Sequence, residues 1–496
     1  MTSTVRTIAS AGAAAGLIAA TALILWTDGT ASSTPPGIVQ APRITVEAGA
    51  SRVVCPGDLK LPGTEDGEGV SYDPQFDPAP TAVTSQLTVV VEGAYGGEVA
   101  PLGADQGTAL PGPVSVWTGQ TGADPQVATA RAVTGFSPLT GGGVLIESVG
   151  GDLGGLAGAS CLAPRTESYI VGGSTQVGSA TRLVMVNPGA TPATVDLTLW
   201  GPSGRVDAVG GTGLILPPRA QRVALLEGMI GGAGRLAVKV NASGGEVAAY
   251  LQHSRLDGLT PAGVDFAVPG APPGTSVVVP GIVALPTTVE STDPTVVRLL
   301  VTGREDAVAS IAIHGPAGEV EVPGIVDIPL VAGEVTDVPL LGLPEGTYTA
   351  TVTSSQPIVA AAMSTRFGIE PESPREIAWS PSGSIPAQGF LAVFPQTVSL
   401  TVGGAQDATL RLQAVTPQGE LGPETEVVVP AGTTQAVDIA TLGAAQVAGI
   451  VFSAASDSGA AIAAVDLAAD GAAIAIRVPS DSSAMARAFP VVPMTP

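Results

Sequence analysis

The sequence predicts an all-β protein: tandem antiparallel β-sandwich (Ig-like) units behind one N-terminal apolar helix. Three observations carry this. Short apolar runs alternate with period two, glycine and proline punctuate the whole length (65 Gly, 44 Pro), and a run of phrases recurs about every 100–115 residues. A β-propeller is the alternative, since repetition also builds propellers, but its blades need only about 40–50 residues, half this period.

The first element is MTSTVRTIASAGAAAGLIAATALILWTDG. Arg6 is its only charged side chain before Asp28, and Trp26 closes an uncharged stretch of about 21 residues. At roughly 1.5 Å per residue such a helix crosses a bilayer core of about 30 Å. Arg6 places the N-terminus in the cytoplasm, Trp26 suits the far interface, and the bulk is then extracytoplasmic at the cell membrane. A secretory signal removed near Thr30-Ala31-Ser32 is the competing reading, and it gives a secreted chain. Residues 1–34 are therefore read as signal-anchor and spacer.

The repeat follows. The turns Gly201-Pro202-Ser203-Gly204, Gly315-Pro316-Ala317-Gly318 and Thr416-Pro417-Gln418-Gly419 each end an alternating strand. One face carries Val195, Leu197 and Leu199; then Ala309, Ile311 and Ile313; then Leu410, Leu412 and Ala414. The other carries Asp196, Thr198 and Trp200; Ser310, Ala312 and His314; Arg411, Gln413 and Val415. This is a half-buried strand, three times over, with the second set expected to face solvent.

The order of phrases is kept after each turn. LILPPRAQRVAL, DIPLVAGEVTDVPL and VVVPAGTTQAVDI read as strands with a central turn. RLAVKVNASGGEVAAYLQHS, TYTATVTSSQPIVAAAMSTR and AGIVFSAASDSGAAIAAVDLA read as hairpins. An opening phrase recurs as RVVCPG, SYIVGG, DFAVPG, EIAWSP and AFPVVP. The expected units are 35–165, the most diverged, then 166–262, 263–374 and 375–496, the last with a closing strand. GGGVLIESVGGDLGG reads as turns between β segments rather than a nucleotide loop, which needs a strand leading into a helix.

Cys55 lies in the opening phrase of the first unit and Cys161 in its closing phrase. Two cysteines in an exported chain pair as a rule. The bridge closes a loop of about 106 residues, which the chain-entropy model values at about 4–5 kcal/mol. With no CxxC or HxxxH, neither a zinc site nor a cysteine nucleophile is expected.

Twenty basic against 43 acidic residues leave a net charge of −23, with Lys60 and Lys239 the only lysines. That excludes nucleic acid as a partner, because its binding rests on cationic side chains replacing counterions. His314 reads as a solvated strand residue. His253 has Asp257 four residues on, but no serine elbow completes a triad. Glu65, Asp66, Glu68, Asp73 and Asp77 form an acidic loop over 64–77 without calcium-loop spacing, read as a solvated loop with a weak calcium site as the alternative. No cofactor, metal or catalytic set is expected.

The phrases VVCPG, ASCLAP with SYIVGGST, and RLVMVNPGATPATVDLTLWGPSGRV resemble an uncharacterised family of actinobacterial membrane-anchored extracellular β-repeat proteins. The resemblance covers most of the chain and implies an envelope location. It departs from the family's aromatic pair before GGST, where Ser168-Tyr169 stands, and it carries over no functional residue. The expected function is a non-catalytic, membrane-tethered scaffold whose partner is a cell-envelope protein or glycan. A carbohydrate- or wall-binding protein is the alternative, with Trp117, Trp200, Tyr169, Tyr250 and Trp379 as candidate platforms. A secreted enzyme with its site in the first unit is the second alternative.

Overall fold

The computed structural model describes residues 43–46, 50–61, 80–93, 96–131, 138–206, 208–285, 287, 293–367, 375–443, 446–454, 459–468, 471, 473–480 and 487–490. The apolar segment with Arg6 and Trp26, and the acidic loop over 64–77, lie outside them. Among the described residues no helix is long and apolar enough to cross a membrane.

The chain forms two compact units. In the smaller, β1 (Arg43–Val46) pairs antiparallel with the strand Arg487–Pro490 near the other end of the chain. In the larger, Glu47–Ala486, every sheet among the described residues is antiparallel.

Its first sheet pair comprises β2 (Ser51–Cys55), β3 (Ala82–Glu92), β4 (Gly97–Pro101), β5 (Thr108–Leu110), β6 (Val114–Gly119), β7 (Gln126–Ala130), β8 (Leu139–Val149) and β9 (Gly155–Ser160). One sheet runs β2-β7-β4-β5 and the other β6-β3-β8-β9. The second pair comprises β10 (Glu167–Val171), β11 (Ser179–Asn187), β12 (Ala193–Gly201), β13 (Gly204–Val206), β14 (Leu214–Leu216), β15 (Ala220–Leu225), β16 (Ala237–Ser243), β17 (Ala248–Asp257) and β18 (Thr260–Ala267). Its sheets run β10-β16-β12-β13, with β14 also on β12, and β15-β11-β17-β18.

The third set comprises β19 (Gly274–Ala284), β20 (Val296–Val301), β21 (Ala307–Gly315), β22 (Gly318–Val320), β23 (Ile328–Leu330), β24 (Val335–Pro339), β25 (Gly346–Phe367) and β26 (Arg375–Pro381). Here β25 runs unbroken for 22 residues. Its first half pairs with β19 and β21, its second with β20 and β26, so one strand serves both layers. The fourth pair comprises β27 (Gln388–Ala392), β28 (Thr397–Gly404), β29 (Ala408–Val415), β30 (Thr425–Val429), β31 (Thr433–Val437), β32 (Gly449–Ala454), β33 (Ala460–Leu467) and β34 (Ile474–Arg477). Its sheets run β27-β32-β29-β30 and β31-β28-β33-β34. Arg487–Pro490 is β35.

One strand order therefore recurs. Here β5, β13, β14, β22, β23 and β30, which only extend the third strand's edge, are left aside and the halves of β25 counted as two. The first, fifth and third strands of each set then make one layer, and the fourth, second, sixth and seventh the other. An immunoglobulin sheet joins first, second, fifth and fourth, so the order is not that of the immunoglobulin fold. No propeller blade or closed barrel forms among the described residues.

The alternating strands face as their period requires. Val195, Leu197, Leu199, Ala309, Ile311, Ile313, Leu410, Leu412 and Ala414 are all buried in shared cores. Three expectations are corrected. First, the hairpin phrases are crossings: β16 and β17 lie in different sheets, as do β32 and β33, and β25 passes straight through. Between β16 and β17 the small-residue turn lets the chain change layers instead of folding back. Second, DFAVPG and EIAWSP do not open a set. They are β18 and β26, each closing one, and β18 straddles the expected boundary at 262/263. Apolar edge strands with a Pro/Gly end look alike at both ends of a set. Third, Gly141, Gly142 and Gly143 lie inside β8, not in a turn. A Cβ at Gly142 would stand 2.7 Å from Thr88 O and 2.8 Å from Cys161 Sγ.

The sets are not strung out in a line; they close on themselves. Val184, Tyr250 and Phe266 join the core of the first pair, and Leu300, Val335 and Trp379 that of the second. Val283 meets Ala463 and Ile476 of the fourth, and the fourth returns to the first through Phe390, Val415, Val90 and Leu145. This ring buries the outermost residue of each repeated solvent face, so Trp200, His314 and Val415 are covered by a neighbour. Gly333 lies beside Trp200, and Thr434 donates to His314 O at 2.7 Å.

The Cys55–Cys161 disulfide is formed, with Cα atoms 4.2 Å apart. It links the end of β2 to the residue after β9. Beside it Val54 and Leu162 exchange backbone hydrogen bonds of 2.8 and 2.7 Å.

Candidate functional site at the joints between sheet sets

The closing strands β9, β18, β26 and β34 each lie at a sheet edge. An edge leaves alternate backbone N–H groups without a ladder partner, and burying them unpaired costs free energy. Two carboxylates meet this need. Glu376 Oε2 accepts from Leu156 N at 2.9 Å, and its Oε1 accepts from Val264 N and Ile377 N at 3.0 Å each. Asp265 Oδ1 accepts from Gly158 N at 3.0 Å and Oδ2 from Trp379 N at 2.6 Å. Leu156 and Gly158 alternate along the outer edge of β9, so the two side chains act as a surrogate strand joining three sets.

Both carboxyls are fully buried, and burial pushes each well above the usual carboxylate range, against the pull of these N–H donors. The fourth closing strand brings Arg477, wholly buried, which grips Asp466 through Nε at 2.6 Å and Nη2 at 2.8 Å. Its Nη1 donates to Ala392 O at 2.8 Å, and its guanidinium lies 4.6 Å from the Phe394 ring centre. Between the second and third sets Arg298 pairs with Asp337 at 2.7 Å and donates to Gly173 O at 2.6 Å. It also lies 5.0 Å from the Trp379 ring centre.

His253 is buried in the same region and accepts from Trp379 Nε1 at its Nδ1, 3.1 Å away. Burial, then Arg255 and Arg298, hold its pKa well below the ordinary histidine value. Asp257 does not complete a triad: it is exposed and meets Arg375 at 3.6 Å. His314, expected at the surface, is buried with Nε2 at 2.9 Å from Thr351 Oγ1. At the first joint Gln252 accepts from Lys60 N at 3.0 Å, returns a bond to Lys60 O at 2.7 Å, and accepts from Arg182 at 3.1 Å.

The aromatic candidates separate into two kinds. Tyr250 and Trp379 are core residues, Tyr250 packing edge-on to Phe266 at 5.6 Å, and Trp117 is partly buried against the first core. Tyr169 and Trp200 share the outer face of β10-β16-β12, ring centres 6.4 Å apart and planes 23° apart. Lys239 lies on the strand between them, its Nζ 5.2 Å from the Tyr169 ring centre and 2.6 Å from Glu167. Among the described residues no group of His, Cys, Asp and Glu is arranged to hold a metal.

Sequence reading missed Asp265, Glu376, Asp466, Arg477, Arg298 and Asp337. A signal was present: each stands inside an otherwise apolar strand or across from one, as in GVDFAVP, REIAWSP and IAIRVP. A charge in such a run is rarely left unpaired.

A family of unknown function (DUF5719) matches residues 116–440. The chain belongs to that family. The DUF5719 match begins in β6 and ends just past β31, and so includes His253, Asp265, Arg298, Glu376, Trp379 and Cys161 but not Cys55. No curated protein matches. Among solved structures the chain is similar to "Biofilm associated protein - BSP domain", at 10% identity over 92% of this chain and 100% of that one. The TM-score of 0.12 carries no argument.

Proposed function

We propose that this DUF5719 protein is a non-catalytic scaffold of the cell envelope: four copies of one β-sandwich held as a rigid ring, tethered to the membrane by the segment that carries Arg6 and Trp26. An actinobacterial, extracytoplasmic setting agrees with the long uncharged N-terminal run and the paired cysteines. The observation that supports a scaffold is the use of the buried charges. Every carboxylate oxygen of Glu376 and Asp265 is taken by a backbone donor from another strand or its own, which suits holding sets together and leaves none for a substrate. Crosslinking in the intact envelope with the full-length chain as bait tests the reading. A reproducible envelope protein or glycan on the ring surface supports it, and turnover of an envelope glycan or peptide by the purified chain overturns it.

A second reading, carbohydrate binding, rests on the Tyr169–Trp200 pair. Tyr169, half-buried beside the covered Trp200 and flanked by Glu167, Lys239, Asn241 and Asp196, offers a sugar ring an apolar face edged by hydrogen-bonding groups. Affinity electrophoresis in neutral polysaccharide gels, with Tyr169→Ala as the control, decides it. Retardation lost in the variant supports it, and equal migration of both counts against it.

A further inference from the structure

His253 and His314 are the chain's two histidines, and both are buried where one set meets the next. They are held differently. An indole N–H only donates, so Trp379 requires His253 Nδ1 to be bare and the ring neutral. Nε2 then carries the proton and has no hydrogen-bond partner among the described residues. His314 instead faces the Thr351 hydroxyl, which can donate or accept.

The surroundings differ in the same sense. His253 is faced by Arg255 on its own β17, Arg298 from β20, Trp379 from β26, and Thr181 and Asp265, its register partners on β11 and β18. Arg255 is paired with Asp293 at 3.1 Å and Arg298 with Asp337, while Asp265 is occupied by the N–H groups of Gly158 and Trp379. His314 has Glu319 and Thr349 as register partners on β22 and β25, and Gly432 and Thr434 across the joint. Burial lowers the His314 pKa as well, but there Glu319 and the Gly432 backbone oppose the shift, where at His253 two arginines add to it.

We propose that the His253–Trp379 contact is an acid-labile latch between the second and third sets. Protonation at Nδ1 sets a donor against the indole donor and adds a positive charge beside Arg255 and Arg298, so acidification opens this joint further than the His314 joint. One proton bound only by the opened state changes the opening equilibrium by about tenfold per pH unit.

Hydrogen–deuterium exchange of the full-length chain at pH 7.0 and 5.0, corrected for intrinsic exchange, reads the joint at Trp379 and at Gly172–Thr175. The wild type is expected to lose at least about tenfold in protection there, and His314→Gln to lose as much. His253→Gln, whose amide oxygen accepts from Trp379 at any pH, is expected to lose no more than about twofold, since Asp265, which holds the Trp379 backbone N–H, works toward closure as pH falls. Unchanged wild-type protection, or the same loss in His253→Gln, overturns the latch. If that variant does not fold, NMR of the two imidazoles of the wild type decides. A ring that stays neutral until exchange rises at Trp379 supports it, and two rings titrating near 6.5 with the joint still protected overturn it.

Discussion

Glu376 and Leu156 lie 220 residues apart in the chain, yet the Glu376 carboxylate accepts the Leu156 N–H at 2.9 Å. A side chain from the third set thus finishes the edge of a strand in the first. Glu376→Gln turns one acceptor oxygen into an NH₂ group facing backbone donors. A buried donor left without an acceptor costs about 1–3 kcal/mol, so a urea midpoint lowered by about that amount is expected. A change within ~0.5 kcal/mol would mean that the carboxylate is not what joins these strands.

Arg477 and Asp466 form a bidentate pair with both side chains fully buried. Removing one partner strands a charge, at about 3–5 kcal/mol, whereas replacing both with apolar groups is often near neutral. Arg477→Met alone is expected to destabilise strongly and Arg477→Met with Asp466→Leu to recover most of the loss. Chemical denaturation of the three variants completes the double-mutant cycle, and additive losses would show that the pair is not coupled.

The disulfide spans a sequence separation of 106 residues. Loop-closure entropy for that length is worth about 4–5 kcal/mol. Replacing Cys55 and Cys161 with alanine should lower the thermal midpoint accordingly, with the largest rise in hydrogen exchange in β2 and β9. An unchanged midpoint would mean that the backbone bonds between Val54 and Leu162 suffice.

Acid affects the ring in two opposing senses. His253 and His314 have lowered folded pKa values, so their share of stability is complete above about 6.5 and is lost as pH falls through that value. Glu92, Glu227, Asp265 and Glu376 are raised, so the folded state holds their protons at a pH where the unfolded chain has released them. Their share grows as pH falls toward about 4. With both histidines replaced by glutamine, unfolding free energy should rise between pH 7 and 5. Urea titrations at several pH values check the slope, and a fall over that range would contradict the assignment.

The strands were legible because period-two alternation is a local signal. The inward residues Val195, Ile311 and Leu412 follow from it directly, and the cysteine pair from its placement at the two ends of one set. The layer crossings were not legible, since a small-residue turn serves a hairpin and a crossing equally well, and β25 dispenses with the turn altogether. The burial of Trp200 and His314 was not legible either. Their own strands point them outward, and only contact with a neighbouring set covers them. The joint carboxylates were half visible, as charges embedded in apolar strands whose partners lie 100 residues or more away.

The return contact from Phe390 and Val415 to Val90 and Leu145 fixes how many members the assembly can have. An open stack can gain or drop a module and needs polar caps at its two ends. Here each module already has two neighbours, so a duplicated fifth would find no vacant berth and a lost one would uncover two apolar flanks. Length differences among relatives are therefore expected in connecting loops, never as whole modules.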